Sequence, residues 1–160
     1  MRILIIGNSG SGKSTYANVL SGQHGIPHLD LDSIVWEPKQ IAVPRSNSDI
    51  ERELLIFTQT NPNWVVEGCY GELAKLLLSS STELIFMNPG KDSCISNNQN
   101  RPWEPHKYSS QSDQQRMLPD LRAWVADYYT RDDSWSYAFH RHLFETFQGA
   151  KREHSCVPSA

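Results

Sequence analysis

Cysteine is scarce in this chain: Cys69, Cys94 and Cys156 are the only three in 160 residues. Their odd number and wide spacing suggest neither a disulfide framework nor a zinc pattern. Three reduced thiols fit a cytoplasmic protein, which is the compartment expected. Long apolar runs are missing too. No stretch approaches the roughly 20 apolar residues of a membrane span. Arg2 and Ile3 to Ile6 are too short for a signal-peptide core, so neither a membrane association nor a leader is expected. Positive charge is not in excess, with 15 Lys and Arg against 18 Asp and Glu and a formal net charge of −3. That balance gives no general reason to expect nucleic acid as a partner. His140 and His142 are two apart, hence on different faces of a helix, which argues against joint metal ligation. Repeats and long linkers are absent as well, so the expectation is one domain over residues 1–160, most simply a monomer.

What is present begins with Gly7-Asn8-Ser9-Gly10-Ser11-Gly12-Lys13-Ser14, behind the apolar run Ile3 to Ile6 and ahead of a helix-like segment from Thr15 to Ser21. The pattern G-x-x-x-x-G-K-[ST] between a strand and a helix is a phosphate-binding loop. Its glycines allow backbone conformations that a Cβ forbids and bring amides close to phosphate oxygens. The helix aims its free N–H groups and positive dipole end at the same anion. Lys13 suits the β- and γ-phosphates, and Ser14 the shell of a magnesium ion. Residues 7 to 15, Thr15 included, are the expected site for a nucleoside triphosphate such as ATP with Mg²⁺.

The chain then reads as alternating strands and helices. Gly22 and Gly25 end the first helix, and an extended segment from Ile26 to Leu31 closes on Asp30-Leu31-Asp32. Residues two apart in a strand share a face, so Asp30 and Asp32 are expected to project together from the carboxyl end of a parallel strand, where such sheets bind ligands. One would serve the metal and the other the acceptor; the alternative is an acidic turn or cap. Arg45 is a candidate for an anionic substrate, whereas Lys39 reads as solvated. Ser48 with Glu51 suggests a capping box for a helix to about Thr60. Asn63 to Gly68 reads as a third strand ending in Glu67. That carboxylate either holds magnesium and orders the acceptor beside Gly68, or caps the helix that starts near Tyr70. A helix from Gly71 to Leu78, a strand from Glu83 to Asn88 and a helix from Lys91 follow. The segment from Arg101 to Tyr108 has two prolines in four residues and mixes basic with aromatic side chains. It suits a closing lid over about 99–117, with Arg101 as the cation for developing charge and Arg116 behind it. The alternative is a surface excursion with Trp103 packed inward. Leu118, Leu121, Trp124, Val125 and Tyr128 recur at helical spacing and mark a core-facing stripe. Ser134 suits the cap of a last helix from Trp135 to Phe147, and Ala150 to His154 is at best a feeble fifth strand.

The phosphate loop, Leu31-Asp32-Ser33-Ile34-Val35-Trp36, Asn63-Trp64-Val65-Val66-Glu67-Gly68-Cys69-Tyr70 and the arginine-bearing segment together resemble the adenylate-kinase-related P-loop proteins called topology modulation (FlaR-like) proteins. The chain is more distantly similar to shikimate and gluconate kinases. The resemblance implies a three-layer α/β fold with a parallel sheet ordered 2-3-1-4-5, a Mg-ATP site and a mobile lid. It also implies that Asp32 meets the acceptor hydroxyl and that Arg101 acts from the lid. Nucleoside-monophosphate kinases carry Asp-Gly-Phe-Pro-Arg after the third strand, whereas Glu67-Gly68-Cys69-Tyr70-Gly71 lacks the arginine that grips a monophosphate. The expected function is a phosphotransferase with a small-molecule or nucleotide acceptor. The alternatives are a nucleotide-binding regulatory protein and a slow NTP hydrolase.

Overall fold

Three of the five strands are largely apolar and buried, and their alternation sorts side chains between two cores. The computed structural model describes residues 1–38, 40, 42–105 and 107–158, so the reading of Lys39 lies outside the described residues. Strand β1 (Arg2–Gly7) lies at the centre, flanked by β3 (Trp64–Gly68) and β4 (Glu83–Met87), with β2 (His28–Asp30) and β5 (Ala150–His154) at the edges. The order is β2-β3-β1-β4-β5 and every pairing is parallel, as the resemblance implied.

Leu4 and Ile6 of β1, Trp64 and Val66 of β3 and Leu84 and Phe86 of β4 face one layer of helices. That layer comprises α2 (Asp32–Val35), α3 (Asn47–Thr60), α4 (Gly71–Leu77) and α7 (Tyr137–Thr146). Ile3, Ile5, Val65, Ile85 and Met87 take the opposite face and pack on Tyr16, Ala17 and Leu20 of α1 (Lys13–His24). The period of two also decides where the polar residues of these strands go. Glu67 shares the face of Val65, and Asp30 lies opposite the face of Leu29, so both carboxylates point toward α1.

Several boundaries differ from the sequence reading, each for a local reason. Gly22 lies inside α1, and Gly25, with φ of 62°, ends it. Strand β2 stops at Asp30 because Leu31, fully buried, turns into the core and donates its N–H to the Glu67 carbonyl at 2.9 Å. Asp32 therefore opens α2 and is not a strand-mate of Asp30. The cap of α3 is Ser46, whose hydroxyl accepts from the Asp49 amide at 3.2 Å, and not Ser48. Ser136, not Ser134, caps α7 in the same way. Helix α5 (Lys91–Gln99) and helix α6 (Gln111–Ala126) bracket residues 100–110, which have no helix or strand among the described positions. Pro119 sits inside α6, where it removes one backbone donor. The apolar stripe of α6 divides: Val125 and Tyr128 are buried, whereas Leu121 and Trp124 line a cavity. Trp103 is 47% exposed and does not pack inward. Strand β5 is complete in its pairing with β4 although its residues are polar and mostly exposed. Among the described residues no helix is long and apolar enough to cross a membrane.

Candidate functional site

The loop between β1 and α1 is built for close approach of its backbone to a ligand. Gly10 and Gly12 have φ of 76° and 92°, a region that L side chains rarely adopt. A Cβ on Gly10 would stand 2.4 Å from the Cys94 carbonyl oxygen, so α5 closes one side of the loop. Gly12 is the N-cap of α1, which has no side-chain cap and no acidic residue in its first turn. Its terminal amides and positive dipole end are thus left to an anion. Inside the loop, Asn8 donates from Nδ2 to the Val125 carbonyl at 3.1 Å, while Asn8 Oδ1 and Ser11 Oγ are buried with no partner among the described residues. Lys13, buried, donates from Nζ to the Asn8 carbonyl at 2.8 Å, folding back on the loop it belongs to. Ser9 donates to Asn98 of α5 at 3.2 Å, and Thr15 is exposed on the first turn of α1. These features fit the phosphates of a nucleotide: backbone donors, one ammonium and a cradle that a Cβ would fill.

Beside the loop stand the carboxylates that the strands deliver. Ser14 Oγ donates to Glu67 Oε1 at 2.7 Å. Glu67 does not cap α4: the N-cap there is Tyr70, without a side-chain bond. His28 Nε2 lies 3.8 Å from Glu67 Oε1, with His28 Nδ1 turned to Asn18 at 3.1 Å. Burial pushes the Glu67 carboxyl up, but His28, Lys13 and Ser14 outweigh it and hold Glu67 below the ordinary range. Asp30 accepts from the Asp32 amide at 2.9 Å. Burial, then the Glu67 and Asp32 charges, raise its pKa to about 6. Among the described residues no group of three or more His, Cys, Asp or Glu forms a metal cage. Ser14, Glu67 and Asp30 suit a magnesium ion that is carried mainly by phosphates and keeps several waters.

Asp32 is held at both of its oxygens. Its Oδ1 accepts from the Tyr70 hydroxyl and its Oδ2 from the Lys107 ammonium, both at 2.5 Å. Tyr70 accepts in turn from the Trp36 indole at 2.7 Å. Burial works against the Asp32 charge, yet Lys107, Tyr70 and Lys13 hold the carboxyl below its usual pKa. Lys107 also meets Glu104 at 3.3 Å, and these two acids keep its ammonium charged in spite of burial. Arg101 pairs with the same Glu104 at 3.3 Å.

Two spaces with shared walls result. Lys13, Ser14, Asp30, Glu67 and Gly68 line a narrow cleft of about 40 Å³. Trp36, Tyr70, Tyr108, Met117, Leu121 and Trp124 contribute to the walls of a wider cavity of about 570 Å³. Ser9, Asp32, Cys69, Arg101 and Lys107 line both. All the carboxylates named from the sequence, with Lys13, Ser14 and Arg101, therefore meet at one place. Gly68 is required there by Leu31, whose Cβ would be 2.9 Å from a Cβ at that position. Arg45 is not among the cavity-lining residues: it donates to the Ile34 carbonyl at 3.1 Å and pairs with Glu53 at 2.6 Å, tying α2 to α3. Arg116 pairs with Asp113 and is largely exposed.

Lys107, Tyr70 and Trp36 escaped sequence reasoning as site residues. Trp36 and Tyr70 sit inside segments quoted for the family resemblance, but a single chain carries no signal that their side chains meet. Lys107 was inside the segment read as a lid, without a role of its own.

No family model matches the chain, and no curated protein does. Among solved structures, the chain resembles a sugar kinase from Janibacter sp. with a TM-score of 0.53 and 14% identity over 96% of this chain and 83% of that one. A gluconokinase from Sinorhizobium meliloti gives 0.47 and 15% over 90% and 93%. A shikimate kinase from Acinetobacter baumannii, in complex with shikimate, gives 0.43 and 16% over 89% and 90%. The fold is that of P-loop kinases. Identity this low speaks to the fold alone.

Proposed function

We propose that this chain is an ATP-dependent phosphotransferase acting on a small-molecule hydroxyl, related to the topology modulation branch of P-loop proteins. One observation carries the reading: the phosphate loop and the Asp32–Lys107 pair border a single cleft, and that cleft shares Ser9, Asp32, Cys69, Arg101 and Lys107 with the walls of a cavity large enough for an acceptor. Phosphoryl transfer is mainly positioning and charge stabilisation, so such a site is chemically sufficient.

Lys13 leaves the Asn8 carbonyl and binds the β- and γ-phosphates on the loop amides. Ser14 and Glu67, with Asp30 beside them, would hold a magnesium ion, whose charge would offset that of the nucleotide phosphates. Asp32, kept ionised, orients the acceptor hydroxyl. Its two oxygens offer about four lone-pair positions, two of which Tyr70 and Lys107 occupy. A carboxylate held below its usual pKa is a weak base, so Asp32 works chiefly by orientation. Arg101 and Lys107, from the segment read as a lid over about 99–117, face the transferring group and close the cleft against water.

The test is ADP release from Mg-ATP by the purified protein, alone and with a panel of alcohols. Lys13→Ala is expected to lose nucleotide binding. Asp32→Asn should retain ATP affinity and lose acceptor-dependent turnover on the order of a hundredfold or more. Equal ADP release with and without every acceptor, unchanged in Asp32→Asn, would replace this reading with a slow hydrolase or a regulatory nucleotide binder.

A further inference from the structure

The wide cavity restricts the kind of molecule that fits beside Asp32, an inference that rests on the phosphotransferase reading. Its walls are dominated by Trp36, Tyr70, Tyr108, Met117, Leu121 and Trp124. The Trp124 ring is held at the wall by the Arg131 guanidinium, 4.0 Å from the ring centroid. Such walls favour a flat apolar ligand that stacks.

The charges point the same way. Among the described residues, two cations line the cavity, and both are engaged: Lys107 by Asp32 at 2.5 Å and Glu104 at 3.3 Å, and Arg101 by Glu104 at 3.3 Å. Glu37 and Asp120 also line it and have no ion-pair partner among the described residues. A carboxylate or phosphate in this cavity would lose water and, among the described residues, meet two unpaired acids and find no free cation. An uncharged ring bears no such cost, and an amine gains from either acid.

We propose that the cavity takes a ring-bearing alcohol without negative charge, either neutral or an amine, of about nucleoside size. In the reaction a bond forms between the acceptor oxygen and the γ-phosphorus of ATP, and the bond from that phosphorus to the β,γ-bridging oxygen breaks. ADP carries away that electron pair, and the hydroxyl proton is released to solvent.

The experiment titrates the full chain with matched pairs, adenosine against AMP and tyramine against 4-hydroxyphenylacetate. Tryptophan emission reports the cavity, and Mg-ATP binding and ADP release are measured on the same samples. The expected result is a dissociation constant at least about tenfold lower for the member without negative charge in at least one pair. Leu121→Arg, which adds a cation to the wall, should reduce or invert that preference, and its retained ATP binding certifies the fold. Equal or tighter binding of the anionic member in both pairs would overturn the proposal, as would no binding of adenosine or tyramine. ADP release stimulated only by an anionic member would also overturn it, while leaving the phosphotransferase reading in place. The expected discrimination without any ATP consumption would support the cavity's chemistry and remove the phosphotransferase reading instead.

Discussion

Replacing Asp30 by Asn is expected to stabilise the free protein at alkaline pH and to do little in acid. Asp30 has a folded pKa of about 6 against an ordinary 3.8, raised by burial and then by the Glu67 and Asp32 charges. The folded chain thus holds this proton more tightly than the unfolded one. Stability falls as pH climbs from about 4 through about 6, and the whole cost persists above that. Two units correspond to about 3 kcal/mol as an upper limit, since the side chain is partly accessible to water. Asn removes the charge and keeps an oxygen for the Asp32 amide that Asp30 now accepts at 2.9 Å. For a chain of this size about 1–3 kcal/mol is a rise in Tm of about 3–9 °C. Thermal unfolding of both proteins without nucleotide, at pH 4.5 and pH 8, is the assay. The gain should be full at pH 8 and roughly a third as large at pH 4.5. A variant less stable than the parent at pH 8, or a gain equal at both pH values, would refute the account of charge crowding around Asp30.

Three further outcomes are expected. Gly10→Ala should abolish nucleotide binding in a calorimetric titration and cost stability on the order of 2 kcal/mol, because φ is 76° and the new methyl meets the Cys94 carbonyl at 2.4 Å. Lys107→Met leaves burial of Asp32 unopposed by its nearest cation, so the acid limb of any acceptor-dependent rate should move to higher pH and the rate at pH 7 should fall about tenfold or more; an unmoved limb would contradict the pairing. Tyr128→Phe removes the hydroxyl 2.8 Å from His140 Nδ1, a ring whose Nε2 lies 3.0 Å from the Cys69 carbonyl oxygen; a loss of about 1–2 kcal/mol in denaturant unfolding is expected, with no pH dependence above pH 5, since burial drives the His140 pKa down to about 3.

The legible parts of this chain were those where local chemistry and function ask for the same residues. The phosphate loop needs glycine, lysine and serine at fixed offsets, so Gly7 to Ser14 announce both a conformation and a ligand. Glu67 was legible as the acid that ends the third apolar strand, and it is there that Ser14 meets it. Other parts depend on contacts between distant segments. Asp32 reached the cleft as the first residue of α2, because Leu31 is drawn into the core; the two-residue spacing led to the right neighbourhood by the wrong element. The stripe on α6 was apolar for two reasons, core at Val125 and cavity wall at Leu121 and Trp124, which a periodicity cannot separate. Strand β5 was faint because its pairing rests on the backbone ladder to β4 and on ion pairs such as Arg152 with Glu83 at 2.6 Å, not on apolar alternation. Lys107 and Tyr70 have no local signature at all; one follows α5 and the other caps α4, and they come together only at the Asp32 carboxylate.

The central place of β1 also governs how the molecule is made. Ile3 pairs with Val65 on one side and with Glu83 on the other, so β1 has no neighbour in the sheet until β3, the third strand in chain order, has been synthesised. Until then Ile3 to Ile6 remain an unpaired apolar segment on a nascent chain, open to association with other chains. Production at low temperature, or with a holdase chaperone present from early elongation, should therefore raise the soluble yield more than any change near the carboxyl-terminal strand.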